Sequence, residues 1–544
     1  MDEPLLPPQV PEHTYSSTSV PRGRTASELW ATLQLSVPVS VAELLSFAST
    51  VTSTAYVGTL GPEALSAWTL ARTLFHVSGL AIVTGLASAQ TTFSGQAYGA
   101  GRYSTLGVQM QRVATLSLLV AAASVAAWWY GAETIIVHLG QASSLVHPAA
   151  ACLRIMAPAL FLKTIWVTIK NYLACQGVMT PQTIITAKLL LVTPAVNQVF
   201  IHRLGYGLRG AAYAYNFLTA LEVGMLVLCV GGHQLYMRRF DPGKATWSGW
   251  AIKAALSSWG PYLRIALPSC AMICLNWWCY EVMIIIAGLQ RDAETQLGAM
   301  GVLFSTHALA FMVASGFGVA VATRVSNELG AKRPEAGRRA MLVASACSLA
   351  TATGVGILLT AFRNGWAHLY SQEPLVANMV IESMPLLSLS LLFDALNVVL
   401  SGVLRGCGYQ MIGFVANLST FWAFGVPAAS YMALPWGANM GVYGIWIALL
   451  SVSALQAAVL CLICFAGFNF EDLVQFSQVL LAEDNFKGQS RRFEFSGSGR
   501  EVAREGIWQD GVEPRTESND VRTCDVQGRP SSSGASHQPS FVVL

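Results

Sequence analysis

Residues 381–403 read IESMPLLSLSLLFDALNVVLSGV. The run is long enough to cross a bilayer, which takes about 20 mostly apolar residues. One acid, Asp394, interrupts its middle. A charge at that depth is costly and marks a functional site by default. Ser390, Asn397 and Ser401 stand at −4, +3 and +7 from Asp394, so at 100° per residue the four share one helix face. We read that face as turned into a cavity, not into lipid. Burial penalises the charged form of a carboxylate, which suits Asp394 to loading and releasing a proton.

The rest of the chain has the same character. It has 544 residues, is 53% hydrophobic and 11% charged, and has a mean hydropathy of +0.50; soluble domains carry about 25% charged residues. A soluble enzyme is excluded. Segments of spanning length fall at about 33–57, 64–90, 107–130, 147–170, 181–201, 210–232, 262–288, 297–322, 339–362, 381–403, 410–433 and 440–466, which makes twelve. The fold class expected is an all-α membrane protein. The net charge is +3, and no basic run is interleaved with aromatics, so no nucleic-acid partner is expected. Cys461 and Cys464 spell CxxC inside an apolar span with no second pair. We read the cysteines as reduced, small apolar residues and expect no metal site and no cofactor.

Lys and Arg concentrate in alternate loops: Arg102; Arg238, Arg239, Lys244 and Lys253; Lys332, Arg333, Arg338 and Arg339; Arg405. Arg203, Arg209, Arg291 and Arg363 are the exceptions. The basic side is expected to be cytoplasmic, which puts both termini there. The organisation expected is a disordered N-terminus over 1–29, a first lobe over 30–235, a cytoplasmic linker over 236–260, a second lobe over 261–470 and a disordered tail over 471–544. The first 29 residues lack the apolar core of a cleaved signal. Leu5-Leu6 after Asp2-Glu3 resembles an acidic dileucine signal and tilts the location from plasma membrane toward vacuole.

A repeat runs through the spans at a shift of 230–231. Pro38 matches Pro268; Gly99-Ala100 with Arg102 matches Gly330-Ala331 with Arg333; Gly177 matches Gly408; Gly210 matches Gly441. A shift of six spans preserves orientation, so the halves are parallel repeats about an axis along the membrane normal. Such lobes rock about a central cleft in transporters.

Other polar groups fall within the spans. Glu281 in the seventh span is a second proton candidate. Nearby Trp277, Trp278 and Tyr280 are able to stack on a planar or cationic solute, and Asn276 shares a face with Tyr280. Glu43, Ser46, Thr50 and Ser53 line one face of the first span. Lys163 is read as pairing with Glu43 or meeting an anionic solute. Arg154, Lys170 and Lys188 are read as snorkelling toward the interface. Arg72 sits in the second span. The nine histidines are scattered; His76 and His307 lie within spans with no acidic partner near in sequence. A membrane-embedded enzyme is not supported.

Gln96-Ala97-Tyr98-Gly99-Ala100, Arg324-Val325-Ser326-Asn327-Glu328-Leu329-Gly330-Ala331 and Val399-Leu400-Ser401-Gly402-Val403-Leu404-Arg405-Gly406-Cys407-Gly408-Tyr409-Gln410 resemble the multidrug and toxic compound extrusion (MATE) family, in its eukaryotic, plant-type branch. The likeness covers about residues 30–470. It implies two pseudo-symmetric six-helix lobes in a V and monomeric, proton-coupled export of organic cations, flavonoids, hormones or organic acids. It leaves Na+ open in place of H+. It implies a proton-linked acid at Asp394. It also implies two acids in the seventh span, where this chain keeps Glu281 but has Asn276 for the first. In the second span the usual Glu-Thr-Leu-Cys-Gly-Gln reads Thr91-Thr92-Phe93-Ser94-Gly95-Gln96. Three outcomes follow: Asp394 carries the proton alone, Glu281 takes over, or coupling is altered. Asn276, Trp277, Tyr280, Ser390, Asn397, Ser401, Glu43 and Lys163 are the expected solute contacts, with membrane lipid around them. A lipid-intermediate flippase of the same superfamily is the alternative, for which fourteen spans and a more basic cavity are expected.

Overall fold

The structure, a computed structural model, describes residues 24–140, 143–290, 292–371 and 373–493. The expectations for 1–23, including Leu5-Leu6, and for 494–544 lie outside the described residues. Twelve helices are long and apolar enough to span: α1 Thr25–Gly58, α2 Pro62–Gly99, α3 Tyr103–His138, α4 Ser143–Cys175, α5 Thr180–Arg203, α6 Gly207–Phe240, α7 Trp259–Gly288, α8 Ala293–Gly330, α9 Pro334–Ala361, α10 Pro374–Cys407, α11 Gln410–Ala433 and α12 Gly441–Gly467. Among the described residues there are twelve spans, not the fourteen of the flippase alternative. No strand occurs among them. Helices satisfy every backbone group within the segment, as hydrocarbon requires. Leu191 (80% exposed), Leu228 (76%) and Ile357 (64%) stand on the outside, on a surface that lipid must cover.

Each half has its own core. Val57, Trp68, Phe75, Trp128, Met156 and Leu160 pack in the first. Met283, Leu303, Met384, Leu387, Phe421 and Trp446 pack in the second. The halves meet at the end of the bundle where residues 25 and 467 lie, here called the terminal end.

The joint at the terminal end is reciprocal. Gly99 of α2 lies on the Asn327 carbonyl of α8, and Gly330 of α8 lies on the Gln96 carbonyl of α2. Each pair repeats at a shift of 231 (330 − 99; 327 − 96). Higher up, Gly85 of α2 abuts the Cys270 backbone of α7, and Gly316 of α8 abuts Ser36 and Ser40 of α1. The Ser40 hydroxyl donates to the Val313 carbonyl at 2.8 Å. Glycine lets membrane helices approach to backbone contact, which is why the repeat keeps it at these places.

Polar groups seal the same end. Arg324 grips Glu28 with two donors at 3.0 and 2.8 Å and also meets Glu328 at 3.0 Å. Arg333 meets Glu328 at 2.8 Å. Asn327 donates to the Cys175 carbonyl at 3.1 Å, Gln96 to the Gly406 carbonyl at 3.1 Å and Gln410 to the Thr92 hydroxyl at 2.8 Å. The three motifs of the sequence therefore build the joint between halves.

Two expected boundaries are corrected. Residues 24–29 are helical, because Glu28, 7% exposed, is held by Arg324. The expected tail begins instead with a helix, α13 Phe470–Phe493. Phe470, Leu473, Ser477 and Leu481 are buried at helical spacing. The helix touches both halves: Phe470 and Phe476 pack on Gly337 and Tyr409, and Arg102 donates to the Leu481 carbonyl at 2.8 Å.

Toward the far end the halves part. Trp278 of α7 donates to the Val77 carbonyl of α2 at 3.2 Å, and Trp277 lies 6.5 Å from the His76 ring. Beyond these contacts Pro62–Phe75 makes no extensive contact with α7. The chain changes to a π turn over His76–Leu80 at this point, a distortion frequent at functional sites.

Candidate functional site

Asp394 sits in α10, with 8% of its side chain exposed. Small residues bring α8 against it: Gly318 meets Val398, Gly402 meets the Gly318 backbone, and Gly406 meets the Ala322 carbonyl at a notional Cβ distance of 2.9 Å. That approach carries His307 to the carboxylate. His307 Nε2 is 3.0 Å from Asp394 Oδ2, and the Ser453 hydroxyl of α12 donates to Oδ1 at 2.7 Å. Three spans thus converge on one carboxyl group. Aromatic rings enclose the histidine: Tyr280 at 5.1 Å, Trp446 at 5.8 Å and Phe311 at 6.2 Å between centroids. A recess between α8, α9 and α10, lined by Phe311, Ser348, Thr351 and Leu391, reaches Asp394. The imidazole and the serine hydroxyl thus each meet one oxygen of the carboxyl group.

The stripe beside Asp394 does not line an open cavity, which corrects that expectation. Ser390 is buried and donates to its own helix at Leu387. Asn397 is buried and donates to the Ser453 carbonyl at 3.1 Å. Ser401 is half-buried. The face packs on α12 because α12 offers the serine and carbonyl that these groups need. Tyr280, expected to stack on solute, is 9% exposed and covers His307 instead. Trp277, 37% exposed, keeps an open face. Asn276 is half-buried. Glu281 is half-buried and has no ion pair among the described residues.

The lysine pairings are also corrected. Lys163 pairs with Glu222 of α6 at 2.6 Å, and it is Lys170 that pairs with Glu43, at 2.5 Å. Lys170 does not snorkel, because its partner lies on α1 within the bundle. Both ammonium groups lie over Trp166, at 5.0 and 4.8 Å from the ring centroid. The charges of Arg72 and Lys163 both reach His76, and Tyr215 lies within electrostatic range of each cation.

The two clusters occupy equivalent positions. His76 corresponds to His307, Lys163 to Asp394, Tyr215 to Trp446 and Glu222 to Ser453, each at a shift of 231 (307 − 76; 394 − 163; 446 − 215; 453 − 222). His307, Ser453 and Glu222 were not nominated by the sequence reading. The repeat shift, applied to His76 and Lys163, was the signal that leads to the first and to its partner.

The sequence pattern of the family described as MatE matches residues 38–199 and 268–430. Among curated proteins, Protein DETOXIFICATION 16 of Arabidopsis thaliana is 33% identical over 79% of this chain and 85% of its own length. Multidrug and toxin extrusion protein 1 of Homo sapiens is 31% identical over 83% of this chain and 77% of its own length. The crystal structure of the eukaryotic MATE transporter AtDTX14 superposes with a TM-score of 0.77 at 29% identity, covering 84% of this chain and 99% of that one.

Proposed function

The chain belongs to the MatE family of multi-pass membrane transporters, and from that premise we propose that it exports small organic solutes in exchange for protons. The observation that carries the reading is the buried Asp394–His307 contact at 3.0 Å with Ser453 on the other carboxyl oxygen. An ionisable pair inside a span is costly unless it works. In this reading the pair gains a proton from the acidic side and loses its charge, while solute leaves. Solute binds again when the pair is charged. His307 lies on α8, the same helix that carries Gly316, Asn327 and Gly330 of the joint. A change at the pair is thereby felt where the halves meet, and the two positions of the halves differ in what they favour at Asp394. His307 supplies beside Asp394 the second titratable group that Asn276 lacks. Glu281, unpaired and half-buried, is the second proton candidate. Trp277 and Asn276 are offered to the solute. The basic loops favour cytoplasmic termini, with the protein in the vacuolar or plasma membrane, acting as a monomer.

The test is uptake by purified protein in liposomes under an imposed pH gradient, screened over organic cations and anions, with a Na+ gradient as the parallel arm. Asp394→Asn is expected to abolish pH-driven transport while the protein still folds and reaches the membrane. Undiminished pH-driven transport by that variant refutes the reading. Asn276→Glu is expected to strengthen coupling or raise its pH optimum.

A further inference from the structure

We propose that the first half carries an anion subsite, centred on Arg72, which takes the carboxylate of an aromatic organic acid. This names a solute class for the transport reading and rests on it. Three observations support it. The cluster around Lys163 is the repeat counterpart of the Asp394 site with its charge inverted, lysine standing for aspartate. The two lysines are each neutralised, Lys163 by Glu222 and Lys170 by Glu43, yet Arg72 has no carboxylate partner among the described residues. Arg72 is half-buried in a span, where a cation is costly; its guanidinium lies over the Trp68 ring at 6.0 Å, which offsets part of that cost and leaves its planar fork for two parallel bonds to a carboxylate.

The surroundings fit an aromatic acid. Arg72 lies one turn before His76 on the same face of α2, and His76 meets Trp277 of α7. The half-exposed Trp277 ring gives a planar solute a surface to stack on, from the opposite half of the molecule. A solute held by both touches both walls of the cleft at the level where α2 and α7 part. Glu222 is the internal competitor: it holds Lys163 at 2.6 Å and keeps that charge from adding to the subsite.

The test is equilibrium binding to the full-length protein in detergent, read by tryptophan fluorescence without any gradient. The probes are naphthalene-2-carboxylate and its methyl ester. The carboxylate is expected to bind more tightly than the ester. Arg72→Gln is expected to weaken the carboxylate about tenfold or more and leave the ester unchanged, the loss of a charged hydrogen bond. Arg72→Lys is expected to restore part of the loss, and Glu222→Gln to tighten the carboxylate by freeing Lys163. Thermal melting checks that each variant is folded. Carboxylate and ester binding alike, or neither binding, overturns the proposal. So does an Arg72→Gln variant that weakens both equally, which instead makes Arg72 a residue that shapes the first half and does not touch the carboxylate. Because no gradient is used, loss of proton coupling in liposomes leaves this result standing, and the reverse holds too.

Discussion

Replacing Gly99 or Gly330 by alanine is expected to shift the balance between conformations without unfolding the protein. A Cβ on Gly99 would overlap the Asn327 carbonyl, standing 2.7 Å from its carbon, and a Cβ on Gly330 would stand 2.8 Å from the Gln96 carbonyl carbon. The oxygens are nearer still. Ordinary carbon–oxygen contacts begin at about 3.3 Å, so α2 and α8 must part by roughly an ångström. Overpacking of this kind costs about 1–3 kcal/mol. Alanine also favours a helix over glycine by about 1 kcal/mol, but that gain is the same in every state with α2 and α8 helical. It raises melting temperature and leaves the conformational balance alone. The overlap penalises only the state in which the terminal end is sealed, and about 1–3 kcal/mol moves such a balance 5- to 150-fold. Labels at Glu63 and Glu294, both exposed at the far end, report the opening by pulsed electron resonance. Each variant should show the far end closing and transport slowing. Gly224→Ala, where a Cβ meets nothing within 4 Å, serves as control. A folded Gly99→Ala or Gly330→Ala protein with the wild-type distance distribution refutes the reasoning.

Glu28→Gln removes the charged partner of Arg324 across the same joint and is expected to favour far-end closure in the same assay, by less than the glycine variants. Lys163→Met leaves Glu222 buried without its cation and is expected to cost about 3–5 kcal/mol of stability. Lys163→Met with Glu222→Leu should recover most of that, read by thermal melting. His307→Asn is expected to leave solute binding near wild type while moving the pH profile of transport, measured in the same liposomes as Asp394→Asn. Ending the chain after Asn469 exposes the surfaces that Phe476 and Leu481 cover and is expected to lower the melting temperature.

Much of this was legible because lipid leaves few choices. A bilayer sets the length of a span, so the twelve helices and the repeat stand out in the sequence. Asp394 stands out because an acid in hydrocarbon needs a reason. Its partners do not stand out. His307 is 87 residues away and reaches it only because glycines let α8 and α10 approach. Lys163 found Glu222 instead of Glu43 because α6, not α1, lies across from it. Ser390 and Asn397 show that a polar face on a span can be satisfied by a neighbouring helix as well as by water. The helix over 470–493 escaped notice because its apolar residues are sparse and its neighbours are charged. Only the packed face, from Phe470 to Leu481, makes it cohere.

The reciprocal joint, in which Gly99 meets Asn327 and Gly330 meets Gln96, is the contact pattern of a two-fold dimer, where residue i touches j and j touches i. Two identical subunits meeting this way must carry the same side chain at both equivalent places. They would have two aspartates or two lysines at the positions of 163 and 394, and never one of each. Tethering the copies in one polypeptide lifts that constraint while keeping the shape. The covalent link is what permits division of labour: one copy holds an acid where the other holds a base, and each is free to specialise in a different species.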